Sequence, residues 1–407
     1  MRFIGLDVQR DFCEVAIAKA GEVRSVGRID TSPAEIELFA QSLAATDEVA
    51  LEATGVALGV ARILKRHVAR VVVVKPDALP DDDRRRAKTD RRDAKALARL
   101  LAQGYLKGVW VPDEDTRQLR RRTSRRAQLT RQRTRAKNEI HAVLVRSLAG
   151  KAPVSDVFGK AGRAWLSTLE LAEDERDTVD GCLRQIDFLD QEIEALDRAI
   201  ARQAAQSEEI KRLMTIPGVD VTTAAALCAA IGDVGRFESP RQLVAYLGLD
   251  PKVRQSGSDD ARLGRISKRG SRNARRVLGE AAWTAIESPG PLRAFFERLQ
   301  ARRGKQIAII AVARKLAALS WHLLTKEQDY AFGRPSLTRK KLRRLELHAG
   351  APRRKAGRKP AAVAKANYER DERELQARAE VAYRRLVADW QAKGKKTGAG
   401  ATPGRAS

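Results

Sequence analysis

The sequence predicts an α/β domain built on a mixed sheet, joined through long basic and coiled-coil-like helices to a mainly helical C-terminal domain. Three observations predict it. Short apolar runs alternate with helical patterns over residues 1–112. Apolar side chains then recur at three- and four-residue steps through 176–213. From residue 214 onward, Pro-Gly turns separate helices rich in small residues. With 407 residues, 43% of them hydrophobic, the chain can bury two cores.

The first domain, residues 1–112, reads as strands at 2–8, 11–18, 22–29, 48–52 and 71–74, with helical patterns at 33–44 and 57–68. The first three strands form an antiparallel meander. The run VVVVKPDALP is a buried strand stopped by Pro76, which leaves Asp81, Asp82 and Asp83 in a loop or at a helix cap. Residues 113–213 form a basic helical and coiled-coil region. Over 114–150 arginines surround a thin stripe of Leu119, Leu129, Ile140, Leu144 and Leu148, so this helix needs a partner. That partner is either the stripe Val179, Leu183, Ile186, Leu189, Ile193, Leu196 and Ile200 within the same chain, or a second chain.

Residues 214–332 form the C-terminal domain. The segment MTIPGVDVTTAAALCAAIGD resembles a helix-hairpin-helix, whose glycine turn offers N–H groups to a phosphate, although a plain packing turn has the same pattern. Ser239-Pro240 opens a helix closed by Gly248, and a Gly/Ser-rich loop from Gln255 to Gly270 leads into a basic helix from about Ser271 to Ala282.

Four acidic residues stand out against this outline: Asp7 after a short apolar strand, Glu52 at the end of another, and Asp90 and Asp93 three apart on one helix face. Each alone is an ordinary cap or solvated side chain. Their order, strand-Asp, strand-Glu, helix-Asp-x-x-Asp, is what an RNase H-like nuclease needs to hold hard Mg²⁺ or Mn²⁺ ions against a phosphodiester.

Charge points to the same class of partner. Lys and Arg number 79 against 52 Asp and Glu, a net +27, with a pI near 10.5. A polyanion is therefore expected, nucleic acid ahead of membrane. Residues 1–83 are net −4, whereas 84–137 carry 19 basic against 5 acidic residues. No apolar run of about 18 residues and no signal-peptide core are evident, so a cytoplasmic protein without a membrane span is expected. Cys13, Cys182 and Cys228 are scattered, as are the four histidines, which argues against a zinc site or a disulfide framework.

The loop after residue 255 holds Ser256-Gly257-Ser258, followed by Arg262, Arg265, Lys268, Arg269, Arg272 and Arg275. A serine beside glycine can attack phosphorus while arginines neutralise the developing charge, although most Ser-Gly pairs are turns. Arg121 and Arg125 on the long basic helix are further candidates for nucleic-acid contact.

Taken together, IGLDV with Asp7, LEATG with Glu52, KTDRRDAKALA with Asp90 and Asp93, IPGV...TAAAL, and YLGLDP...QSG...GRISKRG...RRVL-x-EAAW run in order over residues 1–330. The chain resembles the DEDD transposases of bacterial insertion-sequence family 110, also described as bridge-RNA-guided recombinases. That resemblance implies an N-terminal RuvC-like domain, a coiled-coil region and a C-terminal transposase domain. It implies that Asp7, Glu52, Asp90 and Asp93 bind Mg²⁺, and that a serine forms a covalent link to a DNA strand. Ser256 in QSG is the best match, with Ser258 next. It also implies donor and target DNA and a structured guide RNA as partners, a homodimer or tetramer, and a place at the bacterial nucleoid. An aromatic content of only 5% suits recognition delegated to base pairing. A RuvC-like junction nuclease using metal-activated water, or an inactive nucleic-acid-binding scaffold, remain the alternatives.

Beyond residue 333 the resemblance ends. Residues 334–407 hold 21 basic and 7 acidic residues and are expected to be a largely disordered nucleic-acid-binding tail or a neutral extension. A charged helix at 361–392 could instead dock through Tyr383, Leu386 and Trp390.

Overall fold

The computed structural model describes residues 1–75, 89–255, 262–353 and 362–398. The chain divides into two compact units, Met1–Asp113 and Glu114–Ser407.

In the first unit β1 (Phe3–Val8), β2 (Phe12–Lys19) and β3 (Glu22–Asp30) make the expected meander. The strands β4 (Glu48–Glu52) and β5 (Arg70–Val74) then join in parallel beside β1, giving a five-stranded mixed sheet of order β3-β2-β1-β4-β5. Helices α1 (Pro33–Gln41) and α2 (Ala57–Leu64) cover one face, and α3 (Asp90–Ala102) covers the other. The period of two in β1 explains why both faces are filled. Ile4, Leu6 and Val8 pack toward α1 and α2, whereas Phe3 packs on the α3 side, the side that Gly5 and Asp7 share. Gly5 is required there: a Cβ on it would lie 2.1 Å from the carbonyl oxygen of Ala94. Ser32 starts α1, its Oγ accepting from the N–H of Glu35, with Pro33 in the first turn.

The second unit begins with α4 (Glu114–Arg146), followed by α5 (Lys160–Thr168) and α6 (Glu173–Ala204). Helices α4 and α6 form an antiparallel hairpin within the chain. Leu129 on α4 packs against Leu189 and Ile193 on α6, and Arg126 and Arg133 pair with Asp197 and Asp190. The partner of the basic helix is thus the coiled-coil-like stripe of the same chain. Leu148, expected in the apolar stripe of the basic helix, is 90% exposed and lies past the end of α4 with φ of 53°. The second stripe lies within α6, but the helical segment expected over 176–213 is broken after Ala204. Ser207 caps a separate helix α7 (Glu208–Leu213) by accepting from the N–H of Ile210.

After the Ile216–Val219 turn come α8 (Val221–Ile231), capped by Asp220, and α9 (Pro240–Tyr246), capped by Ser239. Strands β6 (Pro251–Arg254) and β7 (Arg262–Ile266) follow, then α10 (Arg272–Ala285), α11 (Pro291–Arg303) and α12 (Lys305–Lys326). These helices share one core with residues such as Leu213, Leu227, Leu243, Leu278 and Leu316. The expected helix-hairpin-helix has its two helices in α7 and α8. Its glycine does not face outward, because a Cβ on Gly218 would meet the carbonyl of Ala281 on α10 at 2.5 Å. The carbonyls of Met214, Ile216 and Val219 all accept from Nζ of Lys341, at 2.8, 2.9 and 2.8 Å. Burial pushes this ammonium down to about 8, and three acceptors favour its charged form.

Three expectations are corrected. Helix α12 is long and apolar enough by length and composition to cross a membrane, which the sequence reading missed because Arg314 and Lys315 interrupt it. Half of that window is buried, with Val312, Leu316 and Leu323 in the core, as befits a central helix of a folded unit. Within the loop expected over 255–270, residues 262–266 form β7, which pairs with β6 just before the loop, and these short, charged strands carry no apolar pattern to read. Finally, the tail contains α13 (Pro335–His348) and α14 (Ala362–Gly398). Of the residues expected to dock α14, Leu386 and Trp390 are 66% and 74% exposed and only Tyr383 is half-buried. The helix docks through a buried polar stripe at four-residue steps, Glu372, Gln376 and Glu380. Glu372 accepts from the N–H of Ser336 (2.9 Å) at the start of α13. Glu380 accepts from the N–H of Gly290 (2.8 Å) at the start of α11 and from Nε of Arg293 (3.0 Å). Two carboxylates thus satisfy two helix N-termini from a distant helix.

Candidate active site

Asp7 lies near the end of β1 and is 4% exposed. Continuing the register that pairs Leu6 with Leu51 brings Glu52, at the end of β4, beside it on the same face. Helix α3 lies across that face, its backbone seated on Gly5, so its first turn carries Asp90 and Asp93 toward the same end of the sheet. Carboxylates are favoured in that turn by the unpaired N–H groups of the helix start. Nε2 of Gln9 donates to Oδ2 of Asp7 (3.2 Å) and to Oδ1 of Asp90 (3.4 Å), bridging strand and helix.

Electrostatics shows the convergence of all four acids. The Asp7 carboxyl is pushed up to about 6, first by burial and then by repulsion from Asp90, Asp93 and Glu52, against a lowering by the Gln9 amide. Among the described residues no three acidic, histidine or cysteine side chains close on one point at ligand distance. The set nevertheless has the chemistry for a hard divalent cation: oxygen donors only, partly buried and mutually repelling.

Ser256 and Ser258 lie outside the described residues, as do Asp81, Asp82 and Asp83. What frames the serines is described. Ser267 donates its N–H to the carbonyl of Asp250 (2.8 Å) and its Oγ to Oδ1 of Asp250 (2.6 Å), tying the base of the β6–β7 hairpin. Gly248 and Gly270, both at positive φ, let the chain ends pass within a distance that no Cβ would allow. Arg262, Arg265, Lys268, Arg269 and Arg272 are exposed around this base. Arg275 is different: its Nη1 donates to the carbonyls of Leu247, Arg269 and Gly270 at 3.0–3.1 Å. That nitrogen is a structural staple rather than an open phosphate contact. Arg121 pairs with Glu114 (2.8 Å), and Arg125 donates to Gln128 (3.2 Å), both on the exposed side of α4.

Sequence reading missed Gln9, whose role depends on a turn closed by its N–H to the carbonyl of Phe12. It also missed Glu14, whose only signal was a charge inside the apolar strand FCEVAIAK.

A partly buried acidic cluster at the end of a mixed sheet, with a basic helical unit in the same chain, is the arrangement of a nucleic-acid-processing enzyme. Comparison with known proteins makes it specific. A DEDD transposase family model of the IS110 type matches residues 4–148, which contain all four acids. The transposase IS116/IS110/IS902 family model matches residues 210–297, which contain Ser256. A putative transposase, y4qE, of Sinorhizobium fredii is 31% identical over 354 residues, covering 78% of this chain and 87% of the relative. The transposase for insertion sequence element IS1111A of Coxiella burnetii is 29% identical over 255 residues, 60% of this chain and 69% of its own. A pilin gene-inverting protein of Moraxella bovis is 28% identical over 254 residues, 60% of this chain and 68% of its own. The chain belongs to the IS110 family of insertion-sequence transposases, and is thus an enzyme that cuts and rejoins DNA.

Proposed function

We propose that the first unit is an RNase H-like, RuvC-like domain in which Asp7, Glu52, Asp90 and Asp93 hold Mg²⁺ or Mn²⁺, and that Ser256 supplies the nucleophile. The observation that carries the reading is the gathering of Glu52, Asp90 and Asp93 about the buried Asp7, whose carboxyl they and burial push up to about 6. A divalent cation, when bound, offsets charge on the phosphoryl oxygens and acidifies the hydroxyl it touches. The chain's own groups supply the rest. Asp7 and Glu52, on neighbouring strands, and Asp90 and Asp93, on α3, would supply the oxygen donors, their side chains closing further around the ion. Oγ of Ser256 forms a bond to phosphorus as the bond to the leaving deoxyribose oxygen breaks, and the incoming strand's hydroxyl later reverses this at the serine. Exposed Arg265, Lys268 and Arg269 neutralise phosphate charge around it. Ser258 is the alternative nucleophile.

Sequence choice is assigned to a structured guide RNA that pairs with donor and target DNA, which suits a chain rich in arginine and poor in aromatics. The working unit is a homodimer or tetramer of this chain in the bacterial cytoplasm, because recombination holds four DNA ends. Substitution separates this reading from a water-using RuvC-like nuclease. Asp7→Asn and Ser256→Ala are both expected to lower strand transfer by at least about 10³-fold, the scale of losing a catalytic group. Full DNA cleavage by Ser256→Ala and Ser258→Ala would transfer the case to the nuclease.

A further inference from the structure

The rung of the sheet that carries Asp7 does not end at Asp7. Asp7 on β1 pairs directly with Glu14 on β2, and Glu14 pairs directly with Arg28 on β3. With Glu52 on the other side, one rung reads Arg28, Glu14, Asp7, Glu52 on the face that α3 covers.

Arg28 reaches that face only because the register shifts. From Lys19 to Ala16 the pairing of β2 and β3 is regular, and continuing it would set Glu14 opposite Gly27 and Arg28 opposite Cys13. Cys13 belongs to the apolar core under α1 and α2, so the arginine would face that core. One extra residue, Val26, enters β3 as a bulge beside Gly27 at φ +120°, and every later side chain changes face. Ile29 then fills the apolar side and Arg28 stands on the acidic side.

The guanidinium is held and aimed. Its Nε donates to Oε1 of Glu14 at 2.8 Å, and Glu14 itself is 6% exposed. Its plane lies over the Phe12 ring, with Cζ at 4.2 Å from the centroid. The side chain is 60% exposed, and among the described residues Nη1 and Nη2 have no protein partner. An arginine fixed at Nε with its outer fork open is arranged for a tetrahedral oxyanion. Two strand spacings, about 10 Å, separate its backbone from that of Asp7. Glu14 stands between them and keeps the cation off Asp7.

We propose that Arg28, positioned by Glu14 and the Val26 bulge, binds a DNA backbone phosphate flanking the one processed at Asp7. The proposal rests on the acidic-site reading above.

The test is binding of a labelled DNA duplex by the full-length chain in Ca²⁺ across a range of salt, for wild type, Arg28→Lys, Arg28→Ala and the double variant Glu14→Gln/Arg28→Ala. The double variant removes the buried charge that Arg28→Ala alone would leave unpaired. Loss of one phosphate contact is expected to make the slope of log K against log salt shallower by about 0.9 and weaken low-salt binding roughly tenfold. Arg28→Lys is expected to keep the slope. Wild-type slope and affinity in the double variant would overturn the proposal and leave Arg28 as a mere counter-ion of Glu14. DNA cleavage by Asp7→Asn, measured alongside, reports separately on the acidic site: retained cleavage there counts against that reading and not against the salt slope.

Discussion

Asp7 holds its proton to about pH 6 because burial and three neighbouring carboxylates oppose its charge, and both consequences of that can be measured. A carboxyl whose pKa is higher folded than unfolded stabilises the fold fully only below its ordinary value of 3.8, and that contribution is lost as pH rises through 6. Without divalent metal, Asp7→Asn is therefore expected to be more stable than wild type at pH 7.5, by on the order of 2 kcal/mol. The difference should disappear toward pH 4, as followed by urea unfolding. Added Mg²⁺ should stabilise wild type and not the variant. At this scale the sequence was half legible. Asp7, Glu52, Asp90 and Asp93 stand at strand and helix ends, where local pattern suffices. Glu14 and Arg28 acquire meaning only from a cross-strand register altered by one bulged residue, which no local pattern encodes.

Elements place these residues, and β1 and α3 approach each other closely at Gly5. A methyl group there would collide with the backbone of α3 at Ala94 and Ala98, so α3 must move off β1, carrying Asp90 and Asp93 away from Asp7. Gly5→Ala is expected to cost about 2–3 kcal/mol in stability and to abolish strand cleavage while leaving DNA binding by the second unit. Unfolding midpoints and a gel-shift titration check the two parts. The strands of the first unit were readable to within a residue or two, because buried β-strands write their period in Val, Ile and Leu. The pairing of α4 with α6 was left open between one chain and two, since an apolar stripe states that it needs a partner and not which one. Helix α14 was legible as a charged helix at 361–392, but its docking face was not: it rests on Glu372, Gln376 and Glu380, residues that a search for apolar stripes counts as solvated.

At the scale of the whole molecule, a net charge of +27 is spread over a chain whose N-terminal 83 residues are net negative. Part of the positive charge in α4 is committed inside the chain, Arg133 and Arg126 to Asp190 and Asp197 and Arg120 to the carbonyls of Ala229 and Ala230, so formal charge overstates what DNA meets. In each unit taken by itself arginines remain exposed, Arg28 on the sheet of the first and Arg262, Arg265 and Arg269 beside the β6–β7 hairpin of the second. The central claim, that the acids of one unit and a serine of the other carry out strand exchange, is tested most directly by trapping the intermediate. Full-length protein, the noncoding RNA adjoining its gene and a nicked suicide DNA substrate are incubated with Mg²⁺, and the linked peptide is mapped by mass spectrometry. The account predicts a DNA adduct on Ser256 that is absent without divalent metal and absent in Asp7→Asn. Cleaved DNA with no adduct on any residue would contradict it and make water the nucleophile.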